Sequence, residues 1–256
     1  MLIRHRTDGS FECITQEHHA LISGLLATEW APTRLDPLLV QTIGLHDNPW
    51  READAAPVYD PETGLPHDFL NYPTPRKLVM YDTGVSALEA LHPWTAYIVS
   101  RHYTTFAGTR DIDEFTAQEQ TRRERLAEQI SEARLAESDD ALAWVKFFDI
   151  ASLYLCLGGP MASDDSMPAW LEDPSTWNEA PDGTEVEWNW YDDGSVGLRP
   201  WPFARPELTI DIHHRRLDGP VDDAEALGST WTDTPHEIRQ VTFKPLNELT
   251  PPSGRG

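Results

Sequence analysis

WVKFFDIASLYLCL, residues 144–157, sets a single carboxylate, Asp149, among neighbours that are nearly all apolar. At helical spacing Leu142, Val145, Ser152, Leu153 and Cys156 share its face, so the stretch reads as a core helix over about 140–157 with an acid turned inward. A carboxylate buried alone is costly unless something neutralises or pairs it. Two compensators are open: an arginine such as Arg101, or a metal ion.

Upstream, apolar periodicity and caps predict further helices. Thr15 caps one over about 16–30, and Asp36-Pro37 starts a second that runs to about Asp47 and is ended by Pro49. Others are expected at about 75–91, 93–107 and 111–137. Residues 50–73 carry proline and glycine breakers and no apolar period, so they read as a long ordered loop, the kind that often lines a site. The opening LIRH-RTDGS-FECIT reads as a hairpin about Asp8-Gly9.

After Gly158-Gly159-Pro160 the character changes. Residues 160–182 are acidic and loop-like; TEVEWNWY, SVGLRPWPF, ELTIDIHHRRL and EIRQVTFKPL then read as strands, and PPSGRG (251–256) as low complexity. The expected fold is α+β, mainly α: a helical metal-binding domain over 1–159 with an N-terminal hairpin. A small antiparallel sheet over 160–256 would pack on it, the whole forming one structural unit.

Composition bounds the function. A net charge of −23 on 256 residues opposes binding to nucleic acid backbones or anionic membranes. Seventeen of the twenty basic residues are arginines, the lysines being Lys77, Lys146 and Lys244, and such an acidic, lysine-poor surface suits a halophilic or GC-rich host. Two distant cysteines, no secretory leader pattern and no spanning apolar run lead to the expectation of a soluble, cytoplasmic protein. There is no P-loop, dinucleotide fingerprint or G-x-S-x-G, so an ATPase, dehydrogenase or serine hydrolase lacks support.

Four more residues join Asp149. His46-Asp47 closes the helix LLVQTIGLHD, where both side chains can enter one pocket; the bland alternative is a dipole-serving histidine and a turn-capping aspartate. One of His18 and His19 faces the core, and His102 follows Trp94 and Ile98 at helical spacing. With Asp149, and with His46-Asp47 counted as one, each member lies on a different predicted helix with an apolar face. Mixed imidazole and carboxylate ligands suit Zn, Mn, Fe or Ni, as one or two ions. His213 and His214 alternate across a strand and read as surface residues, while His67, Trp50, Tyr59, Phe69 and Tyr72 are candidates for a lid or pocket wall.

The order His, His-Asp, Asp resembles the HD-domain superfamily of helical metal-dependent phosphohydrolases, with the additional histidine similar to its dinuclear members, including di-iron oxygenases. More specifically, Q-x-x-H-A (16–20), H-D-x-x-W (46–50), P-x-x-D-x-x-T-G-x-P (57–66), S-x-H (100–102), D-x-x-S-L-Y-L-C (149–156) and P-W-P-F (200–203) look like the prokaryotic domain of unknown function 3891 family. The resemblance covers nearly the whole chain and selects His19 over His18 as ligand. One departure stands out: the family's H-D-x-G-W has Asn48-Pro49 here, so a different turn after Asp47 is expected.

Together these imply a metal-dependent hydrolase, acting on a phosphate ester through a metal-activated water. His19, His46, Asp47 and Asp149 would hold the ion, with His102 and Arg101 at the reacting centre and Arg51 and Arg76 as further cations. The implied partner is a small-molecule substrate, phosphorylated in this reading. Two other readings use the same residues: a di-iron oxygenase, and a non-catalytic HD-like module that binds a metabolite or partner.

Overall fold

Local chemistry fixes where the helices start. In the computed structural model, which describes residues 1–105 and 110–246, Thr15 accepts from His18 N–H and opens α1 (Gln16–Glu29). Asp36 accepts from Leu38 and Leu39 N–H and Pro37 takes the first turn of α2 (Pro37–Leu45). The end of the helix expected to reach 107, and the PPSGRG tail, lie outside the described residues.

After a short 3-10 turn (Asn48–Trp50) come α3 (Arg51–Ala55), α4 (Thr74–Leu91), α5 (Pro93–Tyr103), α6 (Arg110–Ala127), α7 (Glu132–Ala136), α8 (Ser138–Leu157), α9 (Ala169–Glu172) and α10 (Ala224–Asp233). The helix expected over 111–137 is two, because Ser131 accepts from Arg134 N–H and begins α7 afresh. Helix α10, started by Asp223 accepting from Ala226 N–H, is one the sequence reading does not anticipate.

The strands correct the expected fold class. Helices hold 49% of the chain, and they pack on a large, curled, mixed sheet rather than forming a bundle with a small antiparallel appendage. Its strands are β1 (Leu2–His5), β2 (Phe11–Ile14), β5 (Glu187–Trp190), β6 (Val196–Arg199), β7 (Leu208–Leu217) and β8 (His236–Pro245), in the order β1-β2-β7-β8-β6-β5. The N-terminal hairpin is integral to it, since Phe11 pairs with Leu217 and Cys13 with Arg215. Strands β6 and β7 run oppositely with a gap between them. β8 fills the gap, so it lies antiparallel to β7 and parallel to β6. A separate two-stranded ribbon, β3 (Tyr59–Asp60) with β4 (Leu65–Pro66), sits in the 50–73 segment. Asp60 pins it by accepting from Glu62 N–H, Thr63 Oγ1 and Asn71 Nδ2.

One main core joins the helices to the sheet, gathering Leu26, Ile43, Ile98, Val145, Phe148 and Leu155 with Ile210, Ile212, Val241 and Phe243. Two close approaches seat the site-bearing elements. A side chain on Gly24 would meet Gly44 Cα at 2.8 Å, so α1 and α2 cross in near backbone contact. One on Gly84 would collide with the Pro49 ring, so α4 leaves room for the Asn48-Pro49 turn. Among the described residues no helix is long and apolar enough to cross a membrane.

Candidate metal centre

Three elements bring the four residues expected to hold the ion close together, and a fourth places His102 beside them. His19 comes from α1, His46 and Asp47 from the end of α2, His102 from α5 and Asp149 from the middle of α8. Both His19 and His46 are fully buried, His102 is 2% exposed and Asp47 6%. The separations are those of a coordination sphere: His19 Nε2 to Asp47 Oδ2 3.0 Å, His46 Nε2 to Asp149 Oδ1 3.4 Å, His19 Nε2 to Asp149 Oδ1 3.7 Å and His46 Nε2 to Asp47 Oδ2 3.9 Å. A tetrahedral ion with bonds of about 2.0–2.1 Å holds its ligand atoms roughly 3.3 Å apart. His102 stands on the outer side of Asp149, its Nε2 3.6 Å from Oδ2.

The surrounding hydrogen bonds decide which atoms face inward. His46 Nδ1 donates to Ile43 O at 2.8 Å, which leaves its buried Nε2 as a lone pair with no hydrogen-bond partner. Ser152 Oγ donates to Asp149 O at 2.9 Å and so accepts from His19 Nδ1 at 2.7 Å, turning the lone pair of His19 Nε2 toward Asp47. Tyr103 Oη donates to Asp47 Oδ1 at 3.2 Å and to His46 O at 2.8 Å, steadying that carboxylate. Two imidazole nitrogens and two carboxylate oxygens thus converge, with His19 Nε2 at hydrogen-bond distance from Asp47 Oδ2, an arrangement that calls for a proton or a metal cation among them. Among the described residues, His19-His46-Asp47 and His46-His102-Asp149 are groups that could hold an ion.

Without an ion, protonation is the substitute. Burial pushes the His46 imidazole down, but Asp47 and Asp149 outweigh it and lift its pKa to about 9. Burial also works against the charged Asp47 and Asp149, yet the neighbouring imidazoles hold both below the usual carboxylate range. His102 is different: burial dominates and lowers it to about 4, so it stays neutral at pH 7.

The cluster forms the floor of a cavity of about 500 Å³. Trp50 and Phe69 line it, as expected of them. Tyr72 packs behind Trp50 at 5.1 Å, Tyr59 instead donates to Val221 O and Asp222 O, and His67 bonds Asn71 rather than reaching the cavity. Arg101 is not brought to the cluster; its guanidinium donates to Ser138 Oγ at 2.8 Å and Asp139 Oδ1 at 2.6 Å. Arg51 and Arg76 are exposed and do not line the cavity.

The cations that do line it are Lys77 and Lys146, two of the chain's three lysines. Lys77 donates to Phe69 O and lies over the Trp50 ring, while Lys146 has no ion-pair partner among the described residues. A signal was available for Lys146: it precedes Asp149 by three residues on one helix, and lysine is rare here. Gln16, 3% exposed with its Oε1 unpartnered, also lines the cavity one turn before His19. The reading of both strand histidines as surface residues holds for His213 but not His214, which is 6% exposed and turned to the same side as Ile210 and Ile212.

Comparison with known proteins gives one match. Residues 1–219 fit the model of a family described as protein of unknown function (DUF3891), and the chain belongs to that family. No curated protein and no solved structure matches it.

Proposed function

We propose that this member of the DUF3891 family is a metal-dependent hydrolase that acts on a phosphate ester. The observation that carries the reading is the convergence of four lone-pair atoms on one buried point, with each histidine's other nitrogen tied to a backbone carbonyl or serine. His19, His46, Asp47 and Asp149 hold the ion, an assignment that agrees with the HD-domain resemblance. A bound divalent cation supplies Lewis acidity and a water acidic enough to ionise near neutral pH.

The chain's own residues do the rest. Asp47 and Asp149 balance the two charges of such an ion, leaving Lys77 and Lys146 as net positive charge toward a phosphate in a chain that is otherwise strongly acidic. Neutral His102, beside Asp149, offers an imidazole nitrogen to the substrate's head or to a second cation. The apolar walls exclude bulk water and strengthen each of these interactions. The two free, buried cysteines, Cys13 and Cys156, fit a reducing compartment, and we place the protein in the cytoplasm.

The test is elemental analysis of untagged protein with a phosphatase assay, on wild type, Asp47→Ala and Asp149→Ala. Near-stoichiometric metal with hydrolysis, both lost in the variants, is the expected result. Folded wild type that stays metal-free after reconstitution would overturn the reading in favour of a binding module. One observation favours a second chemistry: Asp149 presents Oδ1 to His19 and His46 but Oδ2 to His102, a carboxylate fit to bridge two ions. Two irons per chain with oxygen consumption, and no hydrolysis, would support the oxygenase instead.

A further inference from the structure

The floor of the cavity is ionic and its walls are not. Above the His/Asp cluster and the two lysines rise Phe69, Leu78, Phe115 and Leu153, and Leu70 and Trp170 stand at 56% and 51% exposure. Large apolar side chains left half in water on the lining of a concave site are surface that a ligand would cover. Apart from the floor, the hydrogen-bonding side chains of the lining are Gln16, Thr74, Tyr81, Thr105, the indoles of Trp50 and Trp170, and Tyr103, whose hydroxyl is already bonded to His46 O and Asp47. A sugar phosphate or a nucleotide would press many of its hydroxyls or ring donors against the apolar Phe69, Leu70, Leu78, Phe115, Ile150 and Leu153 surface, each at a desolvation cost.

We propose that the ligand is a phosphate monoester with a bulky apolar body, of the size of one or two aromatic rings. Its dianionic head sits between the cluster and Lys146, and its body lies along the Phe69, Phe115, Leu153 and Trp170 walls. The head-group half rests on the hydrolase reading; the apolar half rests on the walls alone. A cavity of about 500 Å³ takes such a molecule whole, while a bare phosphate or a methyl ester would leave most of it unfilled.

The experiment uses full-length, Mn-loaded protein and two non-hydrolysable probes, phenylphosphonate and methylphosphonate, titrated by calorimetry. Turnover of 1-naphthyl phosphate and glycerol phosphate is measured alongside. Phenylphosphonate binding at least about 30-fold tighter than methylphosphonate is expected, since each methylene-sized contact in an apolar pocket is worth roughly 10-fold or more. Trp170→Ala, a partly exposed position safe for folding, should weaken phenylphosphonate about 5-fold or more and methylphosphonate much less. Lys146→Met should weaken both alike. Selective binding of the aryl probe with no turnover of either ester would sink the hydrolase reading and leave this one standing. Equal turnover of both esters with equal probe affinities would do the reverse. Binding of neither probe would overturn this inference outright.

Discussion

Helix α8 carries two buried charged clusters, and they are built on opposite principles. At its middle, Asp149 meets His19, His46 and Asp47, and the inward atoms are imidazole nitrogens facing carboxylate oxygens, with no arginine or lysine nitrogen of the described residues bonded among them. At its end, the fully buried Arg4 donates to Glu12 and to the carbonyls of Gly158 and Pro160. Arg239 there donates to Glu12 and to the carbonyls of Leu155 and Cys156, and Arg6 also reaches Glu12. The second cluster is complete: acceptors meet donors, and the orphan carbonyls of a helix end are taken up. The first consists of titratable nitrogens and carboxylate oxygens, a set that could hold a metal ion. Burial of charge therefore does not by itself mark a site; the sign of the atoms left facing each other does.

Breaking the contrast should give different readouts. The largest effect is expected from Asp149→Ala or Asp47→Ala: metal content by mass spectrometry falls from near one per chain to under about a tenth, because loss of a direct ligand exceeds the roughly 10–100-fold cost of a supporting contact. Arg4→Met should instead lower unfolding free energy in urea by about 3–5 kcal/mol, by breaking a buried ion pair to Glu12 and leaving the Gly158 and Pro160 carbonyls without their donor, while leaving metal bound to whatever remains folded. Metal loss in Arg4→Met without destabilisation would dissolve the distinction drawn here.

Ser152→Ala sharpens the first cluster alone. It removes the acceptor that fixes the His19 tautomer, and metal affinity measured by competition with a chelator should fall about 10–100-fold. The pH dependence is smaller. In the metal-free protein the folded pKa of His46, about 9, lies above its ordinary 6.5, so protonated His46 contributes stability fully present below pH 6.5 and lost as pH rises toward 9. His102, lowered to about 4, works oppositely: its contribution is present above pH 6.5 and lost as pH falls toward 4. Metal uptake at pH 7 must displace the His46 proton, so release of about one proton per ion should be seen in weakly buffered solution. The smallest effect is at Cys13 and Cys156: burial raises both thiols to about 12, and neither should react with an alkylating reagent in folded protein.

The cluster of histidines and aspartates is legible in the sequence because each member declares itself locally. An acid inside WVKFFDIASLYLCL, or a histidine on an apolar helix face, is anomalous wherever its partners lie. The sheet was less legible for the converse reason. The alternation in β7 announces a strand but not its neighbours, and Phe11 pairs with Leu217 across some two hundred residues of intervening chain. The parallel contact of β6 with β8 depends on which strand fills a gap, and no local pattern encodes that. Arg101 was misjudged as a reacting-centre residue by proximity: adjacent positions on a helix point about 100° apart, so His102 turns inward while Arg101 reaches Asp139. Lys146 was overlooked because one lysine in an apolar run reads as a snorkelling surface residue.

The crossing of α1 and α2 at Gly24 and Gly44 acts on the centre as a mechanical stop. His19 precedes one glycine and His46 follows the other, on helices whose backbones already touch. The cage can be prised open but not squeezed tighter along that axis. The size of an ion held there would be bounded on one side by hydrogen atoms on two α-carbons, and an alanine at Gly24, whose Cβ would meet Gly44 Cα at 2.8 Å, would spread the jaws without replacing any side chain of the cluster.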